Sequence, residues 1–425
     1  MLEKVSLFSS KKEFLSFLAF SLVILFISLS FEFYQYKKFT AFDSQLVNVQ
    51  ILKQYSKTKL SQSNKKKTYQ VLKLKTQSGL TFYTTASKEL PNIKHRRVQM
   101  EIWAGEISFY EYMRTFFAFS KIIEVSQDSS FKNALSQAIK TQHTDENISA
   151  IYEALYLAKP LNSELQKVFS NLGISHLVAI SGFHLGVLSA LLFFLFKLPY
   201  KFFQNRYFPY RSYKIDSFIF ISFVLLSYLL FLDSPPSLLR AFIMLVIGFI
   251  LYDRGLQIIS MQTLLLTVIL ILAFFPRLIF SLGFFLSSAG VFYIFLFLVY
   301  FRGKSKLLQF LLLPLWIYIM MLPYSIIIFE NFSPYHPFSI FLTSLFTLFY
   351  PLSILFHILG FGAAFDSVLE YLLRLDLHAV KIVLSSWWLY LSVLFSLLTL
   401  IRREFIYLLL AFDLLFFIKL INYVT

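Results

Sequence analysis

Two histidines and a serine lie in residues 176–184, inside an apolar stretch of residues 174–196, and they are the first candidates for chemistry in this chain. Ser181 and His184 are three residues apart, the spacing of neighbours on one face of a helix, so they resemble a nucleophile and its base. A serine hydrolase also needs an acid to orient the histidine and backbone donors for an oxyanion, and the surrounding sequence supplies neither. Polar groups are costly in a bilayer and usually mark function there. We therefore predict that His176, Ser181 and His184 line a route or a helix contact rather than catalyse a reaction.

Small residues repeat along the same stretch. Gly182 and Gly186 are four residues apart, and Ala190 continues the series by one more turn. This spacing lets a second helix approach closely. Gly283 and Ser287 repeat it further along the chain. Packing alone explains the glycines, but it explains the two histidines less well.

Other kinds of catalytic site are not indicated by the sequence. The chain has no cysteine, which excludes disulfides and thiolate sites, and its seven histidines show no metal-binding spacing. It also has no glycine-rich phosphate loop of the Walker type. We expect no catalytic residue, no metal and no cofactor, and we assign any ATP-driven or nuclease step to a partner.

One arginine lies close to the start of an apolar helix. The sequence Ser234-Pro235-Pro236-Ser237 predicts a tight turn in which Ser234 caps the helix and the prolines occupy its first turn. Arg240 then lies about one turn inside the helix. It can snorkel to the membrane interface, or it can face the bundle interior and meet a phosphate, which the adjoining helix N-terminus also favours.

The elements that position these residues are predicted to be membrane-spanning helices. The chain has 425 residues, 57% of them hydrophobic, and its apolar runs reach about 18 residues, the length that crosses a bilayer. We predict a polytopic α-helical membrane protein with nine or ten spans. Lys4, Lys11 and Lys12 precede the first span, so its N-terminus is predicted to be cytoplasmic. Besides the helix of Arg240, the predicted spans are residues 14–31, 174–196, 215–232, 258–275, 278–301, 307–329, 338–359, 383–400 and 405–420.

Residues 40–125 differ from the rest of the chain because they alternate like strands. In Arg97–Trp103, for example, Val98, Met100 and Ile102 share one face. Five such short strands predict a small OB-like β-barrel, placed in the periplasm after the first span. A basic segment, residues 54–67, is predicted to be a mobile loop between two strands.

This insert also carries half of the net charge of +16, with 14 Lys and Arg against six Asp and Glu. Such a balance indicates a polyanionic partner, either nucleic acid or anionic lipid. The lysines predicted to contact nucleic acid are Lys53, Lys57, Lys59, Lys65, Lys66, Lys67, Lys73 and Lys75.

Three segments together resemble the ComEC competence proteins, the DNA channels of naturally transformable bacteria. They are the stretch 176–184, its lead-in 161–173, and the Ser-Pro-Pro-Ser-Leu-Leu-Arg-Ala segment from Ser234. The resemblance covers residues 150–362. The chain departs from that family at 154–160, where a Gly-Asp pair is usual, and at Phe285, which replaces a glutamine.

The resemblance implies an inner-membrane channel that passes single-stranded DNA into the cytoplasm. It further implies a periplasmic DNA receptor and a cytoplasmic helicase or motor as partners, an OB-like domain in the insert, and a form without the C-terminal metallo-hydrolase-like domain. A homo-oligomer in the lipid bilayer is compatible with it. Two alternatives stay open: a small-molecule secondary transporter, for which we see no inverted repeat, and a membrane-embedded lipid-modifying enzyme, which needs convergent acids.

The chain is accordingly divided into five predicted regions. They are a membrane anchor (1–36), the basic OB-like domain (40–125), interfacial amphipathic helices (129–172), the channel domain (173–362), and an interfacial helix with the C-terminal spans (363–425).

Overall fold

The computed structural model describes residues 8, 10–60, 66–76, 79–91, 93, 96–103, 107–125, 131–256, 258–375 and 377–424. They form two compact units. The smaller comprises residues 14–138 and 270–281, and the larger comprises the remainder.

The smaller unit combines one long helix with a β-sheet. Helix α1 (Lys11–Phe39) has 29 residues, about 44 Å, which exceeds the roughly 30 Å of a bilayer core. Its C-terminal end packs into the sheet domain. Phe39 is buried there against Tyr112 and Phe116, and the Tyr36 hydroxyl donates a hydrogen bond to the Ile107 carbonyl at 2.8 Å.

The sheet has six strands in the order β5-β3-β2-β1-β4-β6. The strands and the short helix among them are β1 (Ser44–Leu60), β2 (Lys66–Thr76), β3 (Thr81–Ala86), β4 (Arg97–Trp103), α2 (Phe109–Met113), β5 (Thr115–Phe117) and β6 (Phe119–Val125). All neighbours are antiparallel except β3 and β5, which are parallel. The ladder is not a closed barrel, because β5 and β6 are its two edges.

Hydrophobic alternation predicted the strands correctly where one face is buried. Val98, Met100 and Ile102 are each at most 1% exposed. The predicted mobile loop, residues 54–67, is wrong over most of its length. Strand β1 continues to Leu60 and pairs with β2 as far as Lys66. Cross-strand polar pairs explain this, since the Thr58 and Thr68 hydroxyls meet at 3.3 Å.

The larger unit is helical. Helix α3 (Phe131–Lys140) has most of its residues in the smaller unit. The helices that follow are α4 (Glu146–Leu157), α5 (Ser163–Asn171), α6 (Ser175–Val178), α7 (Gly182–Tyr207), α8 (Tyr213–Phe231), α9 (Pro236–Asp253), α10 (Met261–Phe274), α11 (Leu282–Tyr300), α12 (Lys306–Phe329), α13 (Phe338–Ile358), α14 (Asp366–Arg374), α15 (Trp387–Ile401) and α16 (Phe405–Val424). Residues 270–274 of α10 belong to the smaller unit. Short strands β7 (Asn331–Phe332) and β8 (Val380–Lys381) pair with each other.

Seven helices within the described ranges are long and apolar enough to cross a membrane: α1, α7, α8, α11, α12, α13 and α16. Helices α10 and α15 are apolar but shorter. The chain is therefore a multi-pass membrane protein, whereas the count of nine or ten spans stays a prediction.

Two segments differ from the sequence expectation in where they lie. Helix α7 continues to Tyr207, well beyond residue 196, where the predicted span ends. Helix α4 is buried along most of its length, with Ile148, Tyr152 and Leu155 at most 1% exposed. Burial against protein therefore accounts for its apolar residues.

Candidate functional site

A break in the helix precedes α7, and it changes the geometry of the histidine–serine stretch. The sequence predicted one span over 174–196, but α6 ends at Val178 and α7 begins at Gly182. Ser181 is the N-cap of α7 and has extended backbone angles, so Ser181 and His184 do not share a helical face. The Ser181 backbone N–H donates to His184 Nδ1 at 3.2 Å, and the Ser181 Oγ lies 3.1 Å from the same atom. This pair caps the helix in the manner of a capping box.

The surroundings of His184 do not resemble those of a catalytic base. Its side chain is 1% exposed and meets the rings of Phe346 and Tyr350 edge-on, at centroid distances of 5.2 and 4.7 Å. Both rings belong to α13. Its Nε2 has no hydrogen-bond partner among the described residues, whereas a serine hydrolase requires a carboxylate to orient the histidine.

His176 lies in α6 and keeps an exposed surface. His176 is therefore accessible at the protein surface, unlike His184, which is buried.

The two sequence motifs come together at the start of α7. A Cβ placed on Gly182 would lie 2.9 Å from the Ala241 Cβ and 3.4 Å from Nη2 of Arg240, so only glycine permits this approach of α9. The Ser237 hydroxyl also donates to the Ile180 carbonyl at 3.0 Å. Gly186 has no such neighbour within 4 Å in the described part of the chain.

Arg240 is buried at this junction. Its side chain is 3% exposed, and Nε and Nη1 have no hydrogen-bond partner among the described residues. A snorkelling side chain would reach the interface, so burial contradicts that interpretation of the sequence. A buried cation without an acceptor is costly. Its planar donor group matches the geometry of a phosphate or carboxylate, which would lower that cost.

The turn before α9 is built differently from the sequence expectation. Pro235, and not Ser234, occupies the N-cap position, and α9 begins at Pro236. Ser234 has a φ of +50° and lies outside the helix, so its hydroxyl does not cap it.

Gly283 and Ser287 lie on the first turns of α11, an element that contacts α9.

A second candidate surface lies on the sheet domain. Register places Lys57 opposite Tyr69, and Lys73 opposite Tyr83, with the Lys73 ammonium 5.5 Å from the Tyr83 ring centroid. We call this the aromatic–lysine groove. It is lined by Tyr55, Lys57, Tyr69, Val71, Tyr83, Thr85 and Phe117. These aromatic residues were not among the residues predicted to bind nucleic acid, although they occupy the same face of three strands, and this shared alternation was the available signal.

The other lysines predicted to contact nucleic acid lie mostly on strands β1 and β2. Lys53 and Lys73 pair directly across β1 and β2, and Lys75 lies further along β2. Lys59, Lys66 and Lys67 lie on the same two strands, with only their backbone described, and Lys65 lies outside the described residues. Like charges opposite each other on adjacent strands are destabilising unless an anion lies between them.

Comparison with known families decides the relationship. A family model described as "Competence protein" matches residues 158–422, more than half of the chain. The chain belongs to the competence protein family. The resemblance inferred from the motifs is thereby confirmed, and membership gives this competence protein a role in DNA uptake. No curated protein and no solved structure matches it.

The matched region of the competence protein contains the whole junction of α6, α7 and α9, whereas the aromatic–lysine groove lies outside it. Both places carry cationic side chains. At the junction, one buried guanidinium offers unsatisfied donors. On the groove, Lys57 lies among aromatic rings that can stack on bases, and Lys73 lies beside the Tyr83 ring.

Proposed function

We propose that this competence protein is the inner-membrane channel that passes single-stranded DNA into the cytoplasm. The observation that carries the proposal is Arg240, a buried guanidinium with donors that no described residue satisfies. It sits at the contact between the two motifs of the competence family region, at the break that opens α7.

A passing phosphate would satisfy these donors. Guanidinium groups bind phosphate oxygens with two parallel hydrogen bonds, and such charge-assisted bonds are stronger in a poorly solvated site. A DNA strand presents one phosphate after another, so each can replace the last without leaving the cation unpaired. His176, Ser181 and His184 belong to the same junction and line or shape the path.

We further propose that the sheet domain is an OB-like barrel in the periplasm that collects DNA. Strand β5 pairs with β3 and strand β6 pairs with β4, and only Ala118 separates β5 from β6. The continuous segment of β5 and β6 thus pairs at both ends of the strand order, as in a partly open barrel. OB folds commonly hold single strands on such a face through stacking and lysine contacts.

The remaining expectations belong to the same proposal. A channel of this kind needs a periplasmic DNA receptor and a cytoplasmic helicase or motor, and it requires no cofactor and no catalytic residue of its own. Subunits can assemble into a homo-oligomer within the bilayer. The motor supplies the energy, and this chain supplies the path.

The test replaces Arg240 and measures both import and protein amount. Arg240→Lys keeps the charge but loses the planar donor group, so we expect partial import of labelled DNA. Arg240→Gln loses the charge and should abolish import at normal protein abundance. The matched control is Arg374→Gln, which removes an exposed surface pair with Glu370 and should leave import unchanged. Wild-type import by Arg240→Gln at normal abundance would contradict the proposal.

A further inference from the structure

A buried cluster of ionisable side chains joins three elements of the larger unit. His143 lies in the loop before α4, His357 near the end of α13, and Asp366 at the start of α14. His143 Nδ1 lies 3.0 Å from each carboxylate oxygen of Asp366, and its Nε2 lies 3.0 Å from Nε2 of His357. His357 Nδ1 lies 2.7 Å from the Ser353 backbone carbonyl.

Counting hydrogens shows that these contacts require an additional proton. A backbone carbonyl only accepts, so His357 Nδ1 must carry a hydrogen. One hydrogen also lies between His143 Nδ1 and Asp366, whichever of the two holds it. If the carboxylate is charged and both imidazoles are neutral, two Nε2 lone pairs face each other at 3.0 Å. One further proton, shared between the imidazoles, turns this repulsion into a hydrogen bond.

That extra proton also makes the cluster electrically neutral. The carboxylate contributes one negative charge and the imidazole pair contributes one positive charge. The side chain of His143 is fully buried and that of Asp366 is 13% exposed, so burial favours the neutral, protonated form. The exposed edge of Asp366 gives the proton access to solvent.

Among the residues that the structure describes, the side chains that contact the two imidazoles from α4 are neutral tyrosines. On α4, the Tyr152 ring stacks on His143 at 4.6 Å, and the Tyr156 hydroxyl lies 3.3 Å from His357 Nδ1. Burial raises the pKa of both tyrosines, so they stay neutral. From α8, the Tyr228 hydroxyl donates to the Tyr156 carbonyl at 3.2 Å.

The cluster is also anchored through the backbone. Gln142 donates from Nε2 to the His357 carbonyl at 3.2 Å and accepts from the Gly362 N–H at 2.9 Å. The loop before α4 is thus attached to both ends of the turn that follows α13.

We propose that His143, His357 and Asp366 form a proton-binding site that holds α13 against the loop before α4. Loss of the proton leaves a net negative charge and two opposed lone pairs, which separate the imidazoles and release the end of α13. The same helix carries Phe346 and Tyr350, which enclose His184. Proton occupancy therefore biases the junction at Arg240, and this consequence for import rests on the proposed function, whereas the proton site does not.

The sign of the pH effect follows from proton binding in the two states. In an unfolded chain, each histidine loses its second imidazole proton near pH 6.5, so above about pH 7 both imidazoles of the unfolded state are mostly neutral. On this proposal, the folded pair keeps one additional proton between its two Nε2 atoms, which lie 3.0 Å apart. Because the folded state then binds more protons, its stability must fall as the pH rises.

The experiment is thermal unfolding of the full chain in detergent between about pH 7 and pH 9, the range above the ordinary histidine titration. The wild-type melting temperature should fall by several degrees across this range. In His357→Gln, the amide N–H can donate to His143 without an extra proton, so the fall should disappear. The control is His336→Gln. His336 is held by the Ser170 carbonyl, and burial lowers its pKa, so it is neutral throughout and its replacement should leave the fall intact.

A second variant keeps the test decisive if His357→Gln does not fold. Asp366→Asn removes the counter-charge, so the fall should vanish or begin at lower pH. ¹⁵N NMR of the histidine-labelled wild-type chain needs no substitution and should show one imidazole pair losing its proton within the same range. A flat wild-type profile, an unchanged fall in either folded variant, or the absence of that NMR titration overturns the proposal.

Discussion

At the scale of single residues, the decisive feature is how closely the backbone of α7 approaches α9. Two glycines repeat at the helical spacing, yet only Gly182 meets a neighbour closely enough to exclude a side chain. The sequence predicted a small-residue face but not which member makes the contact. That depends on the helix break at 179–181, which no periodicity in the stretch indicated.

Gly182→Ala is expected to destabilise the protein, because the new methyl would lie 2.9 Å from Ala241 Cβ. Overpacking of this kind costs about 1–3 kcal/mol. Gly186→Ala is the matched control and should be neutral or slightly stabilising, since alanine favours helix by up to about 1 kcal/mol. Melting temperatures of the two purified variants make the comparison. Equal melting temperatures for both would show that the close contact does not limit packing.

The burial of Arg240 could also not be predicted from the sequence alone. Its position one turn inside a helix allowed both snorkelling and inward orientation, and only the fold of α7 over α9 distinguishes them. By contrast, the absence of thiolate chemistry follows from composition alone, because the chain has no cysteine.

For the secondary-structure elements, the spacing of hydrophobic residues along the sequence predicted most helices and strands to within a few residues. It failed where polar side chains pair across strands, as in the hairpin of β1 and β2, because its residues resemble a solvated loop. It also failed to reveal the aromatic–lysine groove. The groove depends on register, which brings Tyr69 opposite Lys57 and Tyr83 opposite Lys73.

The groove is expected to bind single-stranded DNA through both charge and stacking. In the full chain in detergent, Lys57→Gln and Lys73→Gln should each reduce the salt slope of binding by about 0.7 if each lysine contacts one phosphate. Tyr83→Ala should weaken binding by about 1–3 kcal/mol with little change in that slope. Fluorescence anisotropy at several salt concentrations measures both quantities. Lys88→Gln, an exposed lysine outside the groove, is the control. Losses as large in the control as in the groove variants would argue against this surface.

At the scale of the whole molecule, charge asymmetry predicts the orientation in the membrane. The chain has no natural cysteine, so single introduced cysteines report it cleanly. Ser63→Cys and Tyr335→Cys should react with an impermeant reagent from the periplasm, and Asn205→Cys should not. Tyr335 is the suitable probe of its loop, since it is 38% exposed whereas Ser333 is fully buried. Labelling of Asn205→Cys from outside would invert the orientation.

We propose that this competence protein provides the path for DNA across the inner membrane. The most direct measurement follows radiolabelled DNA into the cytoplasm of cells that lack the chain and of the same cells supplied with it again. We predict that cells without it still collect DNA outside the inner membrane but import none, and that resupply restores import. A normal amount of radiolabelled DNA in the cytoplasm of cells without the chain would contradict its assignment as the DNA channel.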